Sequence, residues 1–160
     1  MIFETHAHYD DDAYHEDRDV LLASMQENQI GFIVNVGASL SSTAASIALA
    51  EKYSFVYAAA GVHPSETTEL NEETFAQLEG QCMHKRVVAV GEIGLDYYWE
   101  EPAHEIQKLW FARQLEIAKR IKKPVIVHSR EAAKDTYDIL EAQNAWEIGG
   151  VIHCFSYGVE

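Results

Sequence analysis

Val87-Val-Ala-Val-Gly-Glu-Ile-Gly-Leu95 has the length of a strand and is apolar almost throughout rather than alternating. That is the pattern of a strand covered on both faces, as in a parallel sheet flanked by helices. Glu92 interrupts the run, and an inward carboxylate there is costly unless it is paired or bound to a metal. Similar runs lie on either side: Ile2 to His8, Phe32 to Gly37, Phe55 to Val62, Val125 to His128 and Val151 to Phe155. Helical periodicity fills the gaps, with Val20, Leu21 and Met25 before Ile30, and Ile106, Leu109, Trp110, Leu115, Ile117 and Ile121 after Pro102. Strand and helix alternate across one domain, residues 1–160, and the order fits either an open doubly wound sheet or a barrel.

Metal-binding side chains fall at the C-terminal ends of these strands: His6 and His8, His63, Glu92, His128 and His153. Loops at that face of an α/β barrel converge on one site. His6 and His8 are two residues apart, so on a strand both imidazoles project to one face and can chelate one cation. Histidines closing buried strands are often hydrogen-bonded core residues, but several on separate strands at the same end point to a common site. Imidazole and carboxylate ligands suit zinc, manganese, cobalt, iron or magnesium. Two such ions can activate water and clamp the oxygens of a phosphodiester. Arg130 suits either a substrate phosphate or an ion pair with Glu131 or Asp96. His63 suits substrate contact or a supporting hydrogen bond, and Asp96 and Tyr97 suit orienting a ligand or substrate or, for Asp96, capping a loop. Asp10, Asp11 and Asp12 read as a solvated charge run, with Asp17 as cap of a helix entering at Arg18.

Acidic residues outnumber basic ones 26 to 12 in 160 residues, a formal net charge of -14. Such a balance opposes binding a polyanion over a broad basic surface. It weighs less against an enzyme that meets phosphate at a metal centre. Lys119, Arg120, Lys122 and Lys123 read as the solvated end of a helix. No apolar run approaches the ~20 residues of a membrane helix, and the first residues lack signal-peptide character. The expectation is a cytoplasmic protein with no membrane partner. Cys82 and Cys154 are expected to be buried or partly buried free thiols.

Thr5-His6-Ala7-His8, Gly61-Val-His-Pro64, Gly91-Glu-Ile-Gly-Leu-Asp-Tyr97, Gln114-Leu115 with Pro124-Val-Ile-Val-His-Ser-Arg130, and Gly150-Val-Ile-His-Cys-Phe-Ser156 together resemble the TatD deoxyribonucleases, a family of amidohydrolase-like metal-dependent hydrolases. The resemblance implies a TIM-type (β/α) barrel, two divalent metal ions and hydrolysis of phosphodiester bonds in nucleic acid, most often DNA and from an end. Carried over by position, His6 and His8 hold one metal, Glu92 bridges, and His128 and His153 hold the other, with Glu92 and His128 catalytic. His63, Arg130 and Tyr97 face the substrate. Glu4 stands where the family usually has Asp, and Ser65 where a second His is common. The alternatives are another ester hydrolase of the amidohydrolase type, a deacylase or lactonase, and a metal-binding but inactive domain.

A complete (β/α)₈ barrel takes ~250 residues, so about six of the eight strands are expected here, without the family's late metal-binding aspartate. The expectation is a truncated form, a proteolytic remnant, a degenerate gene product or a piece that closes with another chain. Its open first and sixth strands should leave it unstable alone.

Overall fold

The computed structural model describes residues 1–158. Six strands, β1 (Ile2–Ala7), β2 (Ile30–Val36), β3 (Val56–Ala60), β4 (Val87–Asp96), β5 (Val125–Arg130) and β6 (Gly150–Ile152), form one sheet. Five helices follow the first five strands in turn: α1 (Arg18–Ser24), α2 (Leu40–Lys52), α3 (Glu72–Cys82), α4 (His104–Ile121) and α5 (Ala133–Ala142). All pairings are parallel and the spatial order is β1-β2-β3-β4-β5-β6. A doubly wound sheet reverses its strand order at a switch point, and this one never does. The result is a six-stranded part of a TIM-type barrel. Its curl brings the two ends of the sheet order together, for the ring of His6, near the end of β1, stacks on that of His153, just after β6, at 3.5 Å.

Local chemistry sets the element limits. Asn71 and Thr74 form a reciprocal capping box that starts α3, and the Ser39 side chain accepts from the Ser42 amide at the start of α2. Asp17 occupies the cap position of α1 but makes no side-chain bond there, so the expected cap is absent. Lys122 ends α4 in the left-handed conformation, with Pro124 beyond it. The basic cluster at that end is less solvated than expected: Lys119 donates to the Gln143 carbonyl and Lys123 to those of Cys82 and His84.

The main core lies between the sheet and its helices, with Leu22, Ile33, Val56, Leu78, Ile93, Phe111 and Leu115 essentially out of solvent. A smaller cluster, Val34, Val36, Ala59, Ala89 and Ile126, occupies the inner face. Coverage of both faces holds for most of the central strands, Val88 near the start of β4 excepted, and fails at the margins, where Ile2, Phe3, Phe32, Val151 and Ile152 are exposed. Val20, Ile106 and Leu109 also face solvent, so apolar spacing overstated the buried stripe of their helices. The sixth strand is three residues long, shorter than Val151 to Phe155, because the chain turns at His153 and Cys154, the latter at φ 48°. That turn leaves Cys154 exposed, contrary to expectation, while Cys82 is buried. An apolar groove of about 400 Å³ lined by Val127, Leu140, Trp146, Val151 and Ile152 runs beside β6.

Candidate metal centre

The C-terminal ends of the strands gather the polar residues. His6 and His8 present their Nε2 atoms 3.1 Å apart. The Nδ1 of His8 lies 2.8 Å from the Val36 carbonyl oxygen, which can only accept, so Nδ1 carries the proton and Nε2 keeps its lone pair. Glu92, only 5% exposed, reaches both sides of the site. Its Oε2 is 3.3 Å from His6 Nε2 and 3.9 Å from His8 Nε2, and its Oε1 is 3.1 Å from His128 Nδ1.

On the far side of Glu92, His128 Nε2 lies 2.9 Å from Asp96 Oδ2. Asp96 also accepts from the Tyr98 amide at 3.0 Å, so it caps the loop and faces the site at once. His63 packs edge-on against His128 with ring centroids 4.3 Å apart. Its Nδ1 accepts from the Ser65 amide at 3.2 Å, which leaves the proton on Nε2. Two sets of donors emerge, His6 with Glu92 and His153, and His63 with Asp96 and His128, each mutually within 4.8 Å. His153 thus stands beside His6, whereas positional carry-over grouped it with His128.

Burial raises the pKa of Glu92, but hydrogen bonds from His128 and His6 outweigh it and hold the carboxyl well below its usual range. Burial works against a charged His128, yet Glu92 and Asp96 hold its pKa above the ordinary value. Burial and the charge of His128 push His63 down to about 4, so it is neutral near pH 7. Burial and His6 likewise lower His153.

These residues fit divalent metal. Ligands ~2.0–2.1 Å from a tetrahedral ion stand ~3.3 Å from each other, close to the 3.1 and 3.3 Å separations around His6. Without a cation, His6 Nε2–H can donate to the lone pair of His8 Nε2 at 3.1 Å, and a cation would replace that proton. His6 Nδ1 is also buried with no hydrogen-bond partner among the described residues.

The surrounding shell contains groups that spacing did not reveal. Gln114 on α4 clamps Val62, next to His63, accepting from its amide at 2.8 Å and donating to its carbonyl at 3.1 Å. Two turns earlier Gln107 does the same to Asp96, at 2.9 and 3.0 Å. Both are polar positions on an otherwise apolar helix face, and Gln114 also belongs to one of the motifs that carry the family resemblance. Asp10 is not a freely solvated charge: its carboxylate accepts from Asn35 Nδ2 at 2.7 Å and Ser42 Oγ at 2.5 Å. It lines a cleft of about 440 Å³ with His8, Ser42, His63, Glu66 and Glu92.

Arg130 makes no ion pair among the described residues; its guanidinium lies over the Tyr98 ring, 3.8 Å from the centroid. The alternative pairing with Glu131 or Asp96 is therefore absent. Tyr97 donates its hydroxyl to Asp135 at 2.7 Å and stacks on His104, so its polar atom is committed to α5.

The profile of the family described as "TatD related DNase" matches residues 3–160. The metal-dependent hydrolase YabD of Bacillus subtilis is 36% identical over 160 residues, covering 100% of this chain and 63% of its own length. A protein of Edwardsiella piscicida named 3'-5' ssDNA/RNA exonuclease TatD is 36% identical over 138 residues, 86% of this chain and 53% of the relative. The crystal structure of the Escherichia coli TatD homologue YjjV superposes with a TM-score of 0.89 at 33% identity, covering 98% of this chain and 61% of that one. The chain thus spans about three-fifths of these relatives' length. Motifs, strand order and clustered histidines agree with the profile match, and the chain belongs to the TatD-related DNase family of metal-dependent hydrolases.

Proposed function

We propose that this chain carries the metal site of a phosphodiesterase acting on nucleic acid, with DNA as the preferred substrate and cleavage from an end. The observation that carries the reading is Glu92, one of whose carboxylate oxygens faces His6 and His8 while the other faces His128. A carboxylate so placed would help hold divalent metal on both sides, together with His6, His8 and His153 on one side and His128 on the other. Asp96, which positional carry-over left out of the ligand set, joins His128. Bound cations supply Lewis acidity and lower the pKa of water, whichever of magnesium, manganese, zinc, cobalt or iron is used.

The remaining work falls to protein groups. His63, neutral near pH 7, offers Nε2–H to a phosphate oxygen without adding charge. Arg130, resting over the Tyr98 ring and without an ion-pair partner among the described residues, is available to donate its N–H groups to a neighbouring phosphate. Local cations and Arg130 offset the net charge of -14 where the substrate reacts.

The test is hydrolysis of end-labelled single-stranded DNA and RNA by metal-depleted protein reloaded with each cation in turn. Cleavage should require the cation, stop with EDTA and be lost in Glu92→Gln. Hydrolysis of lactone or aminoacyl esters with DNA left intact would overturn the assignment.

A further inference from the structure

We infer that Trp99, beside the stacked pair of Tyr98 and Arg130, forms a shelf on which a base of single-stranded nucleic acid stacks next to the metal centre. The inference rests on the phosphodiesterase reading above and assigns the neighbouring subsite.

Three observations carry it. Tyr98 and Trp99 lie two and three residues beyond Asp96, the end of β4, and are 49% and 58% exposed. Their rings meet at 89° with centroids 4.7 Å apart, so they brace each other and leave the indole presented to solvent. The rim is anchored to the site itself, because the Tyr98 amide donates to Asp96, whose other carboxylate oxygen faces His128.

Arg130 closes the arrangement. Asp96 and Arg130 are register partners on β4 and β5, and the guanidinium lies 3.8 Å from the Tyr98 centroid. A guanidinium resting over an aromatic ring can keep N–H groups for phosphate. His128 and Arg130 are two residues apart on β5 and so share a strand face, which puts a phosphate held by Arg130 on the same side of the sheet as the metal centre. The acidity of the chain makes such a shelf useful. With 26 acidic and 12 basic residues, affinity gained by neutralising many phosphates is not available. Stacking is insensitive to that charge and accepts any base.

The test measures binding of two nuclease-resistant phosphorothioate probes to the full chain with magnesium, by fluorescence anisotropy. One probe is hexathymidylate and the other has the same backbone with abasic positions. The thymine probe should bind roughly 10–100-fold more tightly, and Trp99→Ala should abolish most of that difference without changing abasic binding. Trp99→Phe should retain most of it, and circular dichroism checks folding of both variants. Equal binding of the two probes, or an unchanged preference in Trp99→Ala, overturns the shelf while the nucleic-acid reading stands. Binding of neither probe overturns both.

Discussion

His6 and His153 stack nearly parallel, 12° apart and 3.5 Å between centroids, although their strands lie at opposite ends of the sheet order. The pair joins the first and last strands where no ladder hydrogen bonds do. If both imidazoles serve the Glu92 side of the centre, His153→Ala should weaken cation binding at least about tenfold. Calorimetric titration of the metal-depleted variant, with unfolding followed in parallel, checks this; unchanged affinity would remove His153 from the ligand set.

Gln114 holds both backbone groups of Val62, which is fully buried. Gln114→Leu keeps the bulk but strands an amide and a carbonyl, so urea unfolding should show a loss of about 2–4 kcal/mol. A loss below about 0.5 kcal/mol, within the range of surface substitutions, would mean that water replaces the clamp.

Gly94 is paired with His128, has φ +142°, and leaves no room for a side chain: a Cβ would stand 1.9 Å from the His128 carbonyl oxygen. Gly94→Ala should therefore cost at least about 2 kcal/mol and displace His128, lowering metal content together with stability. Thermal unfolding and elemental analysis of one preparation read both effects.

Burial pushes the Cys82 thiol up to about 12, whereas Cys154 is exposed. At pH 8 iodoacetamide should modify Cys154 in the native protein and reach Cys82 only in denaturant, as peptide mass mapping would report. The raised pKa of Cys82 stabilises the fold fully below the unfolded value near 9.0, and this contribution declines as pH rises toward about 12. Native labelling of Cys82 at the rate of Cys154 would contradict its burial.

Much of the architecture is written in apolar runs. The run around Glu92 is a buried strand, and His6 and His8 share a face because strand side chains alternate. What the sequence leaves out is set by approach between distant elements. Asp96 meets His128 across two paired strands, and Asp10, in a loop, meets Asn35 on β2 and Ser42 on α2. Neither partnership has a signature in local spacing. His153 stands with His6 because the sheet curls, a property of the assembled strands rather than of any one. Tyr97 and Tyr98 are adjacent and chemically alike, yet one hydroxyl is committed to Asp135 and the other ring carries Arg130.

The two glutamines of α4 lie seven residues apart, about two helical turns, and each grips one strand end, beside His63 and at Asp96. One rigid rod thereby acts as a ruler between neighbouring strand ends. The segments 64–71 and 97–103 add local braces, the Ser65 amide on His63 and the Tyr98 amide on Asp96, but the distance between the two strand ends is set by the helix. Positions in those segments that touch neither His63 nor Asp96 can therefore change while the spacing of the reactive groups stays put.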